Sequence, residues 1–206
     1  TLTLTSGESN TNATVNVTGG AGADTITGAS EKSNFSGGAG NDVFRFDSSV
    51  LDANDTVSGG DGTDTIRLTN DTGSYVDTDF VNITGVEVVS ANGAANWSAT
   101  FNGNADTAGI TTVTSEAGSN VSITLGSAYD NALRFNLSDG ADTIAAASSN
   151  GAVTVSTNAA NYTTADSLTG GGTTGDVIRI TMGAGGETAS FGNVSGFETI
   201  TIVGNN

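Results

Sequence analysis

Gly37-Gly38-Ala39-Gly40-Asn41-Asp42-Val43-Phe44-Arg45 is the stretch whose reading decides the fold. Gly19-Gly20-Ala21-Gly22-Ala23-Asp24-Thr25-Ile26-Thr27 and Gly59-Gly60-Asp61-Gly62-Thr63-Asp64-Thr65-Ile66-Arg67 share its pattern. In each, glycine stands at the first, second and fourth positions, aspartate at the sixth and a large apolar residue at the eighth. The first two copies begin 18 residues apart, which is two nine-residue units. Glycine permits positive φ and close approach of backbone carbonyls, so the residues up to the aspartate read as a turn. The remainder reads as a short strand whose central apolar side chain points inward. A turn and a strand repeated at a fixed period are the signature of a solenoid.

Between the first two copies lies Gly28-Ala29-Ser30-Glu31-Lys32-Ser33-Asn34-Phe35-Ser36. It lacks the aspartate but keeps Phe35 at the inward position. Ordinary Gly/Asp turns between strands would account for one such stretch. They do not account for three copies, two in register, with a core residue kept between them.

Elsewhere the apolar pattern is mainly alternation, the two-residue period of strands. Examples are Leu2 and Leu4, Val15 and Val17, Phe44 and Phe46, Ile66 and Leu68, Val121 with Ile123 and Leu125, Val153 and Val155, Ile178 and Ile180, and Ile200 and Ile202. Helical spacing is hard to find, and only residues 105–118 and 156–168 leave it open. The chain also reads as duplicated. Asp64-Thr65-Ile66-Arg67-Leu68-Thr69 is answered by Asp176-Val177-Ile178-Arg179-Ile180-Thr181, an offset of 112. Phe80-Val81-Asn82-Ile83-Thr84-Gly85-Val86-Glu87 is answered by Phe191-Gly192-Asn193-Val194-Ser195-Gly196-Phe197-Glu198, an offset of 111. Phe44-Arg45-Phe46 matches Leu133-Arg134-Phe135 more loosely. Residues 1–100 and 101–206 therefore read as two related modules, the second more degenerate, and a single solenoid built from two halves fits as well. Weaker nonapeptides surround Asp55, Asp142 and Asp176.

Composition narrows the function. The chain has 22 acidic and 5 basic residues, a net charge of −17, with Lys32 its only lysine. Such a surface does not attract nucleic acid or anionic lipid. It repels itself unless cations are bound, so stability coupled to a cation is expected. Cysteine, histidine and proline are absent. An extracellular protein of this kind must hold together without disulfides. No apolar run is long enough for a transmembrane helix and no signal peptide is legible.

The nonapeptides, the repeated Phe-x-Asn-x-x-Gly-x-Glu block and the cysteine-free background rich in Thr, Ser, Asn and Ala resemble the RTX-containing surface-layer proteins of Gram-negative bacteria. The nonapeptides cover about a third of the chain, and the rest is similar in composition only. The resemblance implies an all-β fold, a calcium-binding parallel β-roll or β-solenoid. It implies type I secretion to the cell surface, folding on meeting external calcium, and self-assembly into a layer, with a filament as a further possibility for so short a chain. Ca2+ would sit between successive turns, held by backbone carbonyls and aspartate carboxylates, as suits a hard cation. The implied metal positions are Gly20, Gly22, Asp24, Gly38, Gly40, Asp42, Gly60, Gly62 and Asp64, with Asp55, Asp142 and Asp176 on the degenerate copies. Expected partners are other copies of the chain and, as a further candidate, cell-surface polysaccharide. An adhesin or binding module, or the calcium-stabilised tail of a secreted enzyme, is the alternative.

Catalysis is not expected. Without histidine or cysteine the usual triads, dyads and zinc sites cannot be built. Glu87 and Glu198 occupy equivalent places in the two halves, which points to capping a turn or binding an ion. Arg45, Arg67, Arg134 and Arg179 each stand between large apolar residues and are expected to point outward. They read as a solubilising face or as edge guards. Trp97 is expected to pack or to lie at an interface. Asn-x-Ser/Thr triplets at Asn12, Asn16, Asn34, Asn54, Asn70 and Asn82 are candidate glycosylation acceptors. No Thr-x-Thr array in register across successive coils is legible, so an ice-binding face is not expected.

Overall fold

The computed structural model describes residues 2–3, 13–28, 30–69, 72–91, 96–183, 188–189 and 191–204. Leu4, Asn12 and Asn70 lie outside them.

The short strands that the alternating pattern predicts all run parallel, and chain order is preserved along the stack. One wall is a ten-stranded sheet, from Leu2–Thr3 through Thr25–Thr27, Val43–Phe46, Thr65–Leu68, Val88–Ala91, Thr112–Thr114, Leu133–Asn136, Val153–Asn158 and Val177–Thr181 to Thr199–Val203. Each of its strands marks one coil of a parallel β-solenoid. The other wall has two sheets. Four strands, Thr14–Ala21, Lys32–Ala39, Thr56–Asp61 and Ile83–Thr84, form the first. Six strands, Thr72–Tyr75, Asn96–Phe101, Val121–Leu125, Thr143–Ala145, Ser167–Thr169 and Val194–Ser195, form the second. The exchange occurs within one coil, where a 3-10 turn, Asp77–Phe80, separates the first strand of the six-stranded sheet from the last of the four-stranded one.

Register along the long wall explains the core. Ile26, Phe44, Ile66, Val89, Val113, Phe135, Val155 and Ile178 pair in succession, each facing inward and essentially inaccessible. Stacking like on like removes each side chain from water, at about 25 cal/mol per Å² of apolar surface. Phe35 and Val57, the inward residues of the units that lost part of the motif, are equally buried on the opposite wall. Phe35 also stacks on Phe46, with ring centroids 5.9 Å apart. Trp97 packs in the same core.

The strict 18-residue period holds for only one step. Successive positions on the long wall from Ile26 to Ile200 lie 18, 22, 23, 24, 22, 20, 23 and 22 residues apart. The extra residues fill corners and loops, while strand spacing stays fixed by the ladder. This explains the loose match of Phe44-Arg45-Phe46 with Leu133-Arg134-Phe135. Phe44 stands in the column of Phe135, so the two triplets are out of register by two residues.

Of the two stretches that left helix open, the first holds the end of one short helix and a strand, and the second the turns between two strands. Residues 105–118 include the end of a short helix, Gly103–Ala108, and the strand Thr112–Thr114. Asp77 of the preceding coil caps that helix, accepting from the N–H groups of Asn102, Asn104 and Ala105 at 2.7, 3.1 and 3.0 Å. Residues 159–166 form turns around Asp166. The ten-stranded sheet passes residue 100 without a break. Among the described residues no helix is long and apolar enough to cross a membrane.

Candidate metal site

The glycine turns stack directly on one another. Gly20 pairs with Gly38 and Gly38 with Gly60, so the parallel ladder extends through the turns. Gly22 N–H donates to the Ala39 carbonyl at 2.6 Å and Gly40 N–H to the Asp61 carbonyl at 2.8 Å. Gly20, Gly22, Gly38, Gly40, Gly60 and Gly62 all have positive φ. A Cβ added at Gly38 would also strike the Gly20 carbonyl, and one at Gly60 the Gly38 carbonyl. The carbonyls therefore fill the gap between coils, and no larger residue fits there.

The aspartates form a column beside these turns, and their hydrogen bonds give it a structural task. Asp42 Oδ1 accepts from Asp24 N–H at 2.8 Å, and Asp64 Oδ1 from Asp42 N–H at 2.7 Å. Each carboxylate thus caps the coil before it. Glu87 ends the column, its Oε2 accepting from Asp64 N–H at 2.8 Å. The second half repeats the device. Asp176 Oδ1 accepts from Val153 N–H at 2.6 Å, and Glu198 Oε2 from Asp176 N–H at 2.8 Å. The longer glutamate reaches from a coil whose turn has a different shape, with Gly85 and Gly196 at φ of 62° and 72°. Asn82 and Asn193 secure the same block by donating to the Ala53 and Thr164 carbonyls at 2.8 and 3.0 Å.

A further pair stands on the opposite side of the second half. Asp142 Oδ1 accepts from Val121 N–H at 2.9 Å, and Asp166 Oδ1 from Asp142 N–H at 2.9 Å. Asp166 escaped the sequence reading because no glycine frames it. Its burial and its hydrogen bond from the neighbouring coil reveal it only in three dimensions.

The second carboxylate oxygen separates these residues. Asp55 is engaged on both, by Ser33 N–H at 2.7 Å and Asp52 N–H at 3.0 Å. Asp42, Asp64 and Asp176 each bury Oδ2 with no hydrogen-bond partner. Each shares a glycine with a second acceptor, a backbone carbonyl. A Cβ on Gly37 would strike both Asp42 Oδ2 and the Gly59 carbonyl. Gly59 stands likewise between Asp64 Oδ2 and the Gly85 carbonyl, and Gly170 between Asp176 Oδ2 and the Gly196 carbonyl. An unpaired buried acceptor is costly, and a carbonyl nearby cannot satisfy it.

Among the described residues no three Asp, Glu, His or Cys side chains converge. A cation at these places would rest on one carboxylate and backbone carbonyls. That donor set is all oxygen, as a hard cation requires. Burial raises the Asp64 carboxyl above its ordinary value; the hydrogen bond from Asp42 N–H opposes this, and the charges of Asp42 and Glu87 add to it. Burial likewise pushes Asp142 up to about 6, with Asp166 and Asp139 adding to it.

The outer faces carry the remaining sequence candidates. Arg45, Arg67 and Arg179 stand in one outward column of the long wall, and Arg134 in the next. Arg67 pairs with Glu116 two coils away. Thr25, Thr65, Thr112, Thr154 and Thr199 share the Arg134 column but alternate with Val43, Val88, Arg134 and Val177, so no unbroken threonine array runs along that wall. The six-stranded sheet has more uniform outward columns, Ser74-Ser98-Ser122-Thr143-Ser167 and Thr100-Thr124-Ala145-Thr169-Ser195.

The fold and this column define the class, a parallel β-solenoid whose glycine turns are tied together by carboxylates. Comparison with protein-family models, curated proteins and solved structures gave no match.

Proposed function

We propose that this protein is an extracellular structural protein whose coils are locked by Ca2+ and which assembles with copies of itself into a surface layer or filament. The observation that carries the reading is the set of buried, unpartnered Oδ2 atoms on Asp42, Asp64 and Asp176, each set against a backbone carbonyl. These three residues, with the carbonyls of Gly59, Gly85 and Gly196, are the positions we assign to calcium. Asp24 and Asp142 are weaker candidates, and the Asp55 carboxylate is occupied by backbone donors. The metal would neutralise the acid column of a chain with net charge −17 and supply the positive partner that its oxygens lack. The protein's own part is to hold those oxygens in place through the ladder. No reaction step is assigned to it.

A second reading, an adhesin, draws on the uncharged Ser/Thr columns of the six-stranded sheet, whose hydroxyls both donate and accept and suit a polysaccharide.

Calcium titration of the chelated protein tests the main reading. Trp97 is buried and is the only tryptophan, so its emission reports the core. Calcium is expected to raise the melting temperature and shift Trp97 emission to the blue, and magnesium to do so weakly. Identical melting and circular dichroism with calcium and with chelator would sink the calcium assignment.

A further inference from the structure

All four arginines of the chain stand on the outer face of one wall. Arg45, Arg67, Arg134 and Arg179 occupy two outward columns of the ten-stranded sheet, and neither column holds an Asp or Glu. In a chain with 22 acidic and 5 basic residues, these columns make a positive strip on a negative body. Each arginine lies on a strand with a neighbour on both sides, so none guards a sheet edge. Arg67 reaches Glu116, but Arg45, Arg134 and Arg179 have no ion pair or side-chain hydrogen bond among the described residues. Arg45 and Arg67 are moreover direct partners on adjacent parallel strands. Like charges so placed repel, and an anionic group laid over them would relieve the repulsion.

The same molecule carries the complementary charge on another surface. The 3-10 turn Asp77–Phe80 holds Asp77 and Asp79, and the helix Gly103–Ala108 holds Asp106. Asp130 stands on the corner of the following coil, between Val121–Leu125 and Leu133–Asn136. Hydrogen bonds stack these corners one on another. Asp77 caps the helix, and Asp106 Oδ1 accepts from the Asp130 and Asn131 N–H groups at 2.8 and 2.6 Å. The result is an aspartate ridge along three successive coils. No Lys or Arg occurs between Arg67 and Arg134, so these coils bring no cation of their own to the ridge.

We infer that the arginine wall of one copy docks on the aspartate ridge of a second copy. Wall and ridge are different surfaces, so the contact is heterologous and propagates from copy to copy. Both copies carry a net charge of −17. Charges more than about 8 Å apart are largely screened at physiological ionic strength, so the patches that face one another decide. The inference rests on the assembly reading above and specifies its contact.

The test uses sedimentation velocity and electron microscopy in calcium, with circular dichroism to establish folding. Arg134→Glu reverses an exposed charge on the wall, and Lys32→Glu makes the same change in net charge at an exposed residue of the four-stranded sheet. Asp130→Arg reverses an exposed charge on the ridge and lowers the net negative charge. Wild type and Lys32→Glu are expected to assemble alike. Arg134→Glu and Asp130→Arg, each alone, are expected to raise the concentration needed for assembly at least about tenfold, because like charges then face across the contact. An equimolar mixture of the two should assemble again, since every wall then meets a ridge of opposite sign. Should Arg134→Glu not fold, Arg179→Glu serves in its place. Equal assembly by wild type and the folded wall and ridge variants overturns this contact and leaves assembly standing. A wild type that stays monomeric overturns assembly and this contact together. If that monomer retains polygalacturonate through Arg134, the wall belongs to an acidic polysaccharide and the second copy is overturned as its occupant.

Discussion

At the scale of the residue, the aspartate of each nonapeptide has two oxygens with two different fates. Oδ1 of Asp64 satisfies the Asp42 N–H, and Oδ2 is buried without a donor near the Gly85 carbonyl. The two can be separated by substitution. Asp64→Ala removes the acceptor and leaves a buried N–H unsatisfied, an expected loss of about 1–3 kcal/mol. Asp64→Asn keeps an acceptor for Asp42, removes a desolvated charge and offers an NH2 donor toward the Gly85 carbonyl. Urea denaturation in chelator is expected to show Asp64→Asn at least as stable as wild type. In calcium the order should reverse, because the amide has given up the anionic ligand. An Asn variant that gains as much from calcium as wild type would remove Asp64 from the metal site.

At the scale of the element, the Phe-x-Asn-x-x-Gly-x-Glu block is a column terminator. Its Asn holds the loop of the preceding coil, its Gly turns the chain and its Glu caps the last aspartate. Pairing of the two copies was legible from the repeated block, and capping a turn or binding an ion were the two roles read for Glu87 and Glu198. Which N–H groups they cap was not legible, because the partners lie 23 and 22 residues away. Glu87→Ala is expected to cost about 1–3 kcal/mol by exposing no new surface but orphaning the Asp64 N–H. Glu87→Gln, which keeps the acceptor, should retain most of that stability in chelator. Hydrogen exchange at the Asp64 amide distinguishes the two: rapid in the alanine variant, protected in the glutamine variant.

At the scale of the whole molecule, the buried carboxylates set the response to pH. Burial is the leading cause that raises Asp55, Asp64, Asp79 and Asp142, the last to about 6. A carboxyl whose folded value lies above its unfolded value binds more protons in the fold, so its contribution to stability grows as pH falls toward the unfolded value and is lost above the folded one. Without calcium, the melting temperature is therefore expected to rise on acidification from about pH 7.5 to about pH 5. With calcium, which needs the ionised carboxylates, that rise should shrink or reverse. Melting curves at both pH values, with calcium and with chelator, check this. A chelated protein that loses stability steadily over that range would contradict the raised values.

The sequence by itself determined the local conformations. Glycine at positive φ, an aspartate after it and one inward apolar residue are short-range requirements, so the turns at Gly20, Gly38 and Gly60 and the strands that follow could be placed from neighbours alone. Parallel stacking followed from their period. What only the tertiary structure decided were the contacts between coils, because loops of unequal length move their partners 18 to 24 residues apart. Hence Asp166 was invisible, the Phe44 and Leu133 triplets were aligned out of register, and the distinction between the doubly bonded Asp55 and the half-satisfied Asp42, Asp64 and Asp176 appeared only when one coil was laid on the next.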